Sequence, residues 1–266
     1  MKIVESDCFE CSIEDGLAHL VLSRPDRGNP IDGRFCEQFA GCMSVISERA
    51  DVRCLLITAR GKLFSVGGDL NAMAGDLDRL GLTVKLWTTS FHSGIARLLR
   101  LHAPVVSAVH GNVAGGSVSL VAASDIVVVG KSVRLTSAFT KIGFSPDSGS
   151  TNTLTRRMGA ARAKRFFLLG ETLSAAQAEA MGLVDVVTEE EAVFPRAMEI
   201  ARSLASGPTN AYAGIKRLFL NAPIQSPESQ MEDEAQTLAA IAASADALEG
   251  IKAFQEKRSP NFHGAK

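Results

Sequence analysis

The chain has 266 residues, of which 46% are hydrophobic, and a net charge of −1. That length buries one sizeable core, with room for a small appended unit. The balanced charge excludes the basic footprint of a nucleic-acid binder, and that of a protein held electrostatically on an anionic membrane.

The start, "MKIVESDCFECSIEDG", mixes charged and apolar residues and lacks the apolar centre of a secretory signal. The cysteines are Cys8, Cys11, Cys36, Cys42 and Cys54. Their number is odd, and no second Cys/His pair follows Cys8-x-x-Cys11 at zinc-ligand spacing. Reduced thiols, no metal and a cytoplasmic location are therefore expected.

Leu17–Ser23 alternates as a strand does, and "RPDRGNPID" breaks it. Phe35, Phe39, Met43 and Ile46 recur at helical spacing, which predicts a helix over Gly33–Arg49. Cys54–Thr58 reads as a short buried strand, closed by "ARGKLFSVGGDL". "KLWTTSFHSGIARLLRLH" predicts a second long helix. Pro104–Val109 is another strand, and it runs into "HGNVAGGSVSLVAASD", a glycine turn that opens a helix of small residues. Ile126–Gly130 and Val133–Ser137 are further strands. Apolar runs such as "DIVVVG" are far too short to span a bilayer.

Next comes "KIGFSPDSGST", which places Asp147 after a proline and ahead of Ser-Gly-Ser. Two readings stand at this point: a cap for the following helix, or an acid/base group at a pocket mouth. Ser174-x-x-Gln177 has the spacing of a capping box, and "LVDVV" is a last strand. From about Glu190 the chain reads helical. The pattern predicts an α/β core over residues 1–205 and a helical region over 206–266.

Two places combine a buried strand, glycines and a helix start: "LFSVGGDL" (Leu63–Leu70) and "HGNVAGGSVSL" (His110–Leu120). A helix start leaves backbone N–H groups unpaired, and glycine lets a ligand atom approach them. Each turn alone is compatible with a plain connection. Two of them from neighbouring strands can aim one N–H each at a single oxygen. Each such donor is worth about 2.7–4 kcal/mol in a transition state.

These two turns, then "KIGFSPDSGST", "GETLSAAQAEAMGLVDVV" and "EGIKAFQEKRSPNF", resemble the crotonase (enoyl-CoA hydratase/isomerase) superfamily over roughly Leu17 to Phe262. The resemblance implies a spiral of ββα units, with a C-terminal helical region that makes homotrimers or dimers of trimers. It implies an acyl-CoA thioester substrate, with coenzyme A part of that substrate and no separate cofactor. The N–H groups of Gly68 and Gly116 would hold the thioester oxygen. The two glutamates of family hydratases are absent; Ser119 and Phe139 stand in their places.

That absence points away from two-carboxylate hydration and toward an isomerase with Asp147 as its one acid/base. Phe139 and Phe144 would be the apolar wall that dries it. Family members that act on dienoyl-CoA or on the ring epoxide of phenylacetyl-CoA are similar in placing an aspartate there. Three alternatives remain: a hydratase, an aryl-CoA dehalogenase-like enzyme using Asp147 and His92, and a non-catalytic CoA-thioester or RNA binding module. For His92 itself, an ordinary helix or core role is the favoured reading. Arg24, Arg27, Lys62, Phe254 and Lys257 are candidate CoA contacts by resemblance, and Ser65, Val66, Asp69 and Leu70 accompany the first turn. Asp69 is expected to orient that turn by accepting N–H bonds. The stretch Leu82–Gly94, with Trp87, is expected to shape the acyl pocket.

Overall fold

The computed structural model describes residues 1–264. The chain opens with an antiparallel meander of β1 (Lys2–Val4), β2 (Phe9–Glu14) and β3 (Leu17–Leu22). Helix α1 (Gly33–Ser47) carries it across to β4 (Cys54–Ala59), parallel to β3. Then come α2 (Leu70–Ala74), α3 (Leu80–Leu99) and β5 (Val105–Val109), the last parallel to β4. The order continues with β6 (Val113–Ala114), α4 (Gly116–Ala122), β7 (Ile126–Gly130), β8 (Arg134–Thr136), α5 (Ser150–Met158) and α6 (Ala160–Leu168). It ends with β9 (Thr172–Ser174), α7 (Ala175–Met181), β10 (Val186–Thr188), α8 (Val193–Ala205), α9 (Thr209–Asn221), α10 (Pro227–Ala242) and α11 (Ala245–Gln255).

The large sheet runs β1-β2-β3-β4-β5-β7-β10, and the small one β6-β8-β9. Their interleaving is a spiral. β4 joins the large sheet, Ser65 then bridges to Val113 beside the small one, and α2 follows. β5, β6 and α4 repeat that step, and so do β7, β8 and α5. Each turn of the spiral adds a strand to the large sheet, then a strand or, in the first turn, the Ser65 bridge at the small one, and then starts a helix.

Strands buried on both faces explain the continuous apolar runs. Every residue of β5 is buried, as are Cys54–Thr58 of β4. One face packs against α1 and α3, where Phe35, Phe39 and Phe91 stack edge-on and face-on. The other is covered by Val193, Ala197 and Ala201 of α8, set against Leu56, Val106 and Val128.

Helix α1 has a cap read only locally: the Asp32 carboxylate accepts from the Phe35 N–H at 2.9 Å and also pairs with Arg24 at 2.6 Å. The Ser174–Gln177 capping box forms at α7. All five cysteines are buried and unpaired.

The structure adds elements that the pattern did not single out. The amino-terminal stretch forms β1 and β2, with Phe9, Cys11 and Ile13 turned inward. Residues 150–168 form α5 and α6. The last strand begins at Val186, not Leu183; Leu183 and Val184 are core residues that precede the pairing.

Candidate active site

The two glycine turns touch. Gly67 has a φ of +83°, and a Cβ built on it would lie 2.4 Å from the Ala114 carbonyl oxygen and 3.4 Å from Gly115 Cα. A buried pair of hydroxyls clasps the turns from beneath. Ser65 Oγ donates to the Asn29 carbonyl at 2.6 Å and accepts from the Gly67 N–H. Its one proton is thereby used, so Ser117 Oγ donates to it across 2.5 Å. A third segment joins through Ile31, whose N–H donates to Gly67 O and whose carbonyl accepts from Asp69 N.

Gly68 and Gly116 both line one cavity of about 650 Å³. Among the described residues, neither glycine's N–H has a hydrogen-bond partner. The Gly116 donor is the first N–H of α4, at the positive end of that helix. The cavity walls are mostly apolar and include Ile31, Leu70, Met73, Val84, Trp87 and Phe91. Trp87 owes its place to Gly33: a Cβ there would lie 2.5 Å from the indole Nε1.

Asp147 lines the same cavity, as the single carboxylate among the described lining residues. A Cβ on Gly116 would come within 3.6 Å of its Oδ1. The helix after it is capped by Gly149, not by the Asp147 side chain. What Asp147 gives α5 is its carbonyl, which accepts from Ser150 N at 2.9 Å and from Ser150 Oγ at 2.7 Å. The carboxylate itself accepts from Ser148 Oγ at 3.0 Å through Oδ1. Burial pushes its pKa above the ordinary aspartate value, offset in part by the Ser148 bond.

Of the residues singled out in the sequence, Val66, Gly68, Leu70, Gly116, Phe139, Phe144 and Asp147 meet on this cavity. Others do not line it. Ser65 is buried, with its hydroxyl committed to the clasp. Arg24 is engaged by Asp32 and by the Pro30 carbonyl, so its guanidinium braces the turn before α1. Asp69 caps α2 by accepting from Ala72 N at 3.0 Å and pairs with Arg27. Arg27 is half exposed, and Lys62 stands exposed just before the first turn. Phe254, on α11, is 85% exposed, and Lys257 follows that helix.

Two further residues reach the cavity. His92 lines the cavity, and its Nε2 accepts from the Ser148 N–H at 2.9 Å. The dehalogenase-like resemblance, which pairs His92 with Asp147, is the hint of this in the sequence. Cys36 also lines the cavity, where burial pushes its thiol up to about 12. Ser119 lies buried beneath the Asp147 backbone and does not line the cavity.

A ββα spiral with unpaired turn amides and a carboxylate on one apolar cavity is the arrangement of the crotonase class. The family model for enoyl-CoA hydratase/isomerase matches residues 12–265, and the chain belongs to that family. A 1,2-epoxyphenylacetyl-CoA isomerase of Escherichia coli is 36% identical over 95% of this chain and 97% of its own. A trans-2-decenoyl-[acyl-carrier-protein] isomerase of Streptococcus mutans is 32% identical over 95% and 97%. The crystal structure of an enoyl-CoA hydratase from Bacillus anthracis superimposes with a TM-score of 0.90 at 27% identity, covering 97% of this chain and 100% of that one.

Proposed function

We propose that the protein is an enoyl-CoA isomerase that moves a C=C bond through a thioester enolate. The Gly68 and Gly116 N–H groups donate to the thioester oxygen and stabilise the charge that gathers there. The Asp147 carboxylate removes a proton from C2 of a 3-enoyl thioester, and the electrons delocalise onto the oxygen. The protonated Asp147 then returns the proton to C4, leaving the double bond at C2. The proton leaves one carbon and arrives at another, so no second carboxylate, water or separate cofactor is required.

One observation carries this reading: a single carboxylate among the described lining residues, on the same cavity as two unpaired amides. The isomerases among the relatives point the same way. The dehalogenase alternative needs a free imidazole lone pair to activate water, and the His92 Nε2 lone pair is occupied by Ser148. For CoA, Arg27, Lys62, Phe254 and Lys257 are the contacts we assign, Arg24 being already engaged. The unpaired thiols fit a reducing compartment, and we place the enzyme in the cytoplasm. We also assign residues 206–266 to homotrimer or dimer-of-trimers assembly.

The test is turnover of 3-enoyl-CoA and 2-enoyl-CoA by the wild type and by Asp147→Asn. Isomerisation is expected to fall by about 10²–10⁴-fold in the variant. Hydration of 2-enoyl-CoA that is undiminished in the variant would remove Asp147 from the mechanism.

A further inference from the structure

We propose that His92 is a positioning residue: it accepts the Ser148 N–H and thereby holds the Asp147 carboxylate at a fixed place and orientation in the cavity. This inference rests on the isomerase reading for what Asp147 does, but its geometry stands apart from that reading.

Ser148 is in a conformation that a non-glycine residue adopts reluctantly, with φ at +56°. It is fully buried. Two bonds hold it there. Its N–H donates to His92 Nε2 on α3 at 2.9 Å, and its Oγ donates to Asp147 Oδ1 at 3.0 Å. The left-handed turn is what lets one residue point its amide at a helix and its hydroxyl at the preceding carboxylate.

The consequence for Asp147 is an asymmetric carboxylate. Oδ1 is occupied by the Ser148 hydroxyl, while Oδ2 has no partner among the described residues. Oδ2 is the oxygen left to carry a proton. Behind it, the Asp147 carbonyl is tied to Ser150 at the start of α5. The segment is therefore pinned from α5 on one side and from α3 on the other. His92 supplies the α3 side, and α3 also carries the acyl wall residues Trp87 and Phe91. One hydrogen bond between residues 56 apart in sequence thus sets the spacing between acyl wall and acid/base.

The role requires an acceptor on residue 92, not an exchangeable proton. A bond accepted at Nε2 puts the proton of the neutral ring on Nδ1. The lone pair that a proton shuttle would use is already engaged. Glutamine, whose Oε1 accepts at a similar reach and carries no titratable proton, should substitute; alanine should not.

The experiment compares wild type, His92→Ala, His92→Gln and Asp147→Asn by two readouts. The first is kcat and KM for a 3-enoyl-CoA. The second, independent of activity, is backbone hydrogen exchange over residues 145–150. His92→Ala is expected to lower kcat by about 10–100-fold with KM within about threefold, as misplacement of a reacting group does. It is also expected to speed exchange in that segment. His92→Gln is expected to recover most of the rate and to restore slow exchange.

A His92→Gln protein as slow as His92→Ala, yet with slow exchange, would show that the imidazole transfers a proton and would overturn the proposal. Exchange identical in wild type, His92→Ala and His92→Gln would overturn it too. If the wild type fails to turn over the thioester while exchange follows the expected order, the isomerase reading falls and the positioning of Asp147 by His92 stands.

Discussion

In the proposed reaction Asp147 faces two opposing demands. It must ionise to accept a proton, and it sits where burial favours its neutral form. Its folded pKa is above its unfolded one, so the native state binds the proton more tightly between those values. Stability from this group is therefore greatest in acid and declines as pH rises through the native pKa. Asp147→Asn removes the buried charge and keeps an oxygen for the Ser148 hydroxyl. We expect it to melt higher than wild type at pH 7.5, by about 2–4 °C if the gain is about 1 kcal/mol. The difference should shrink at pH 4. Scanning calorimetry at the two pH values checks this, and a variant that melts lower at pH 7.5 would show the charge to be compensated. In the proposed reaction the same shift places the acid limb of kcat/KM above the range of an exposed aspartate.

At the scale of elements, the site depends on how closely two turns approach. Gly67 is tight against Ala114, and the Ser65–Ser117 clasp lies directly beneath. Gly67→Ala puts a methyl where a carbonyl oxygen stands, at a φ that alanine tolerates poorly. We expect it to separate the turns, lowering kcat more than Ser117→Ala does. Ser117→Ala leaves Ser65 with its other two bonds and should cost about 1–3 kcal/mol. Urea unfolding alongside steady-state kinetics on both variants reads the two effects. Equal kcat in both proteins would mean that turn separation does not matter to the reaction.

These turns are legible in the sequence because strand, glycine and helix start each leave a local mark. Asp147 leaves two readings open locally, and its place on the pocket, like that of Phe139 and Phe144, is implied by the family resemblance. The Ser65 hydroxyl meets a second serine 52 residues away, and nothing local shows whether a serine faces a ligand or such a partner. The place of His92 is hidden for the same reason: its partner is a backbone N–H on another element.

The whole molecule shows the same division between local and distant information. The α/β alternation and the helical end were readable from periodicity. The first two strands were not, because β2 is six residues long and its inward positions Phe9, Cys11 and Ile13 alternate with Glu10, Ser12 and Glu14 amid a charged amino-terminal stretch. The route of the spiral depends on pairings such as Val106 with Ile126, which no single segment announces. One further property belongs to this scale. Helix α10 has 16 residues and buries none of them, while Met231 and Leu238 on it are more than half exposed. Ile215 and Phe219 on α9, with Leu248 and Ile251 on α11, are also more than half exposed. A helix of that length needs a covered apolar face to be stable in water. Another copy of the chain would supply that cover, as our assignment of residues 206–266 requires. Sedimentation velocity is expected to give a native mass of three or six chains. Phe219→Glu with Leu238→Glu should shift it toward one chain and lower the melting temperature. A wild type that sediments as a monomer at micromolar concentration would refute this assignment and leave α10 to be explained by contacts within one chain.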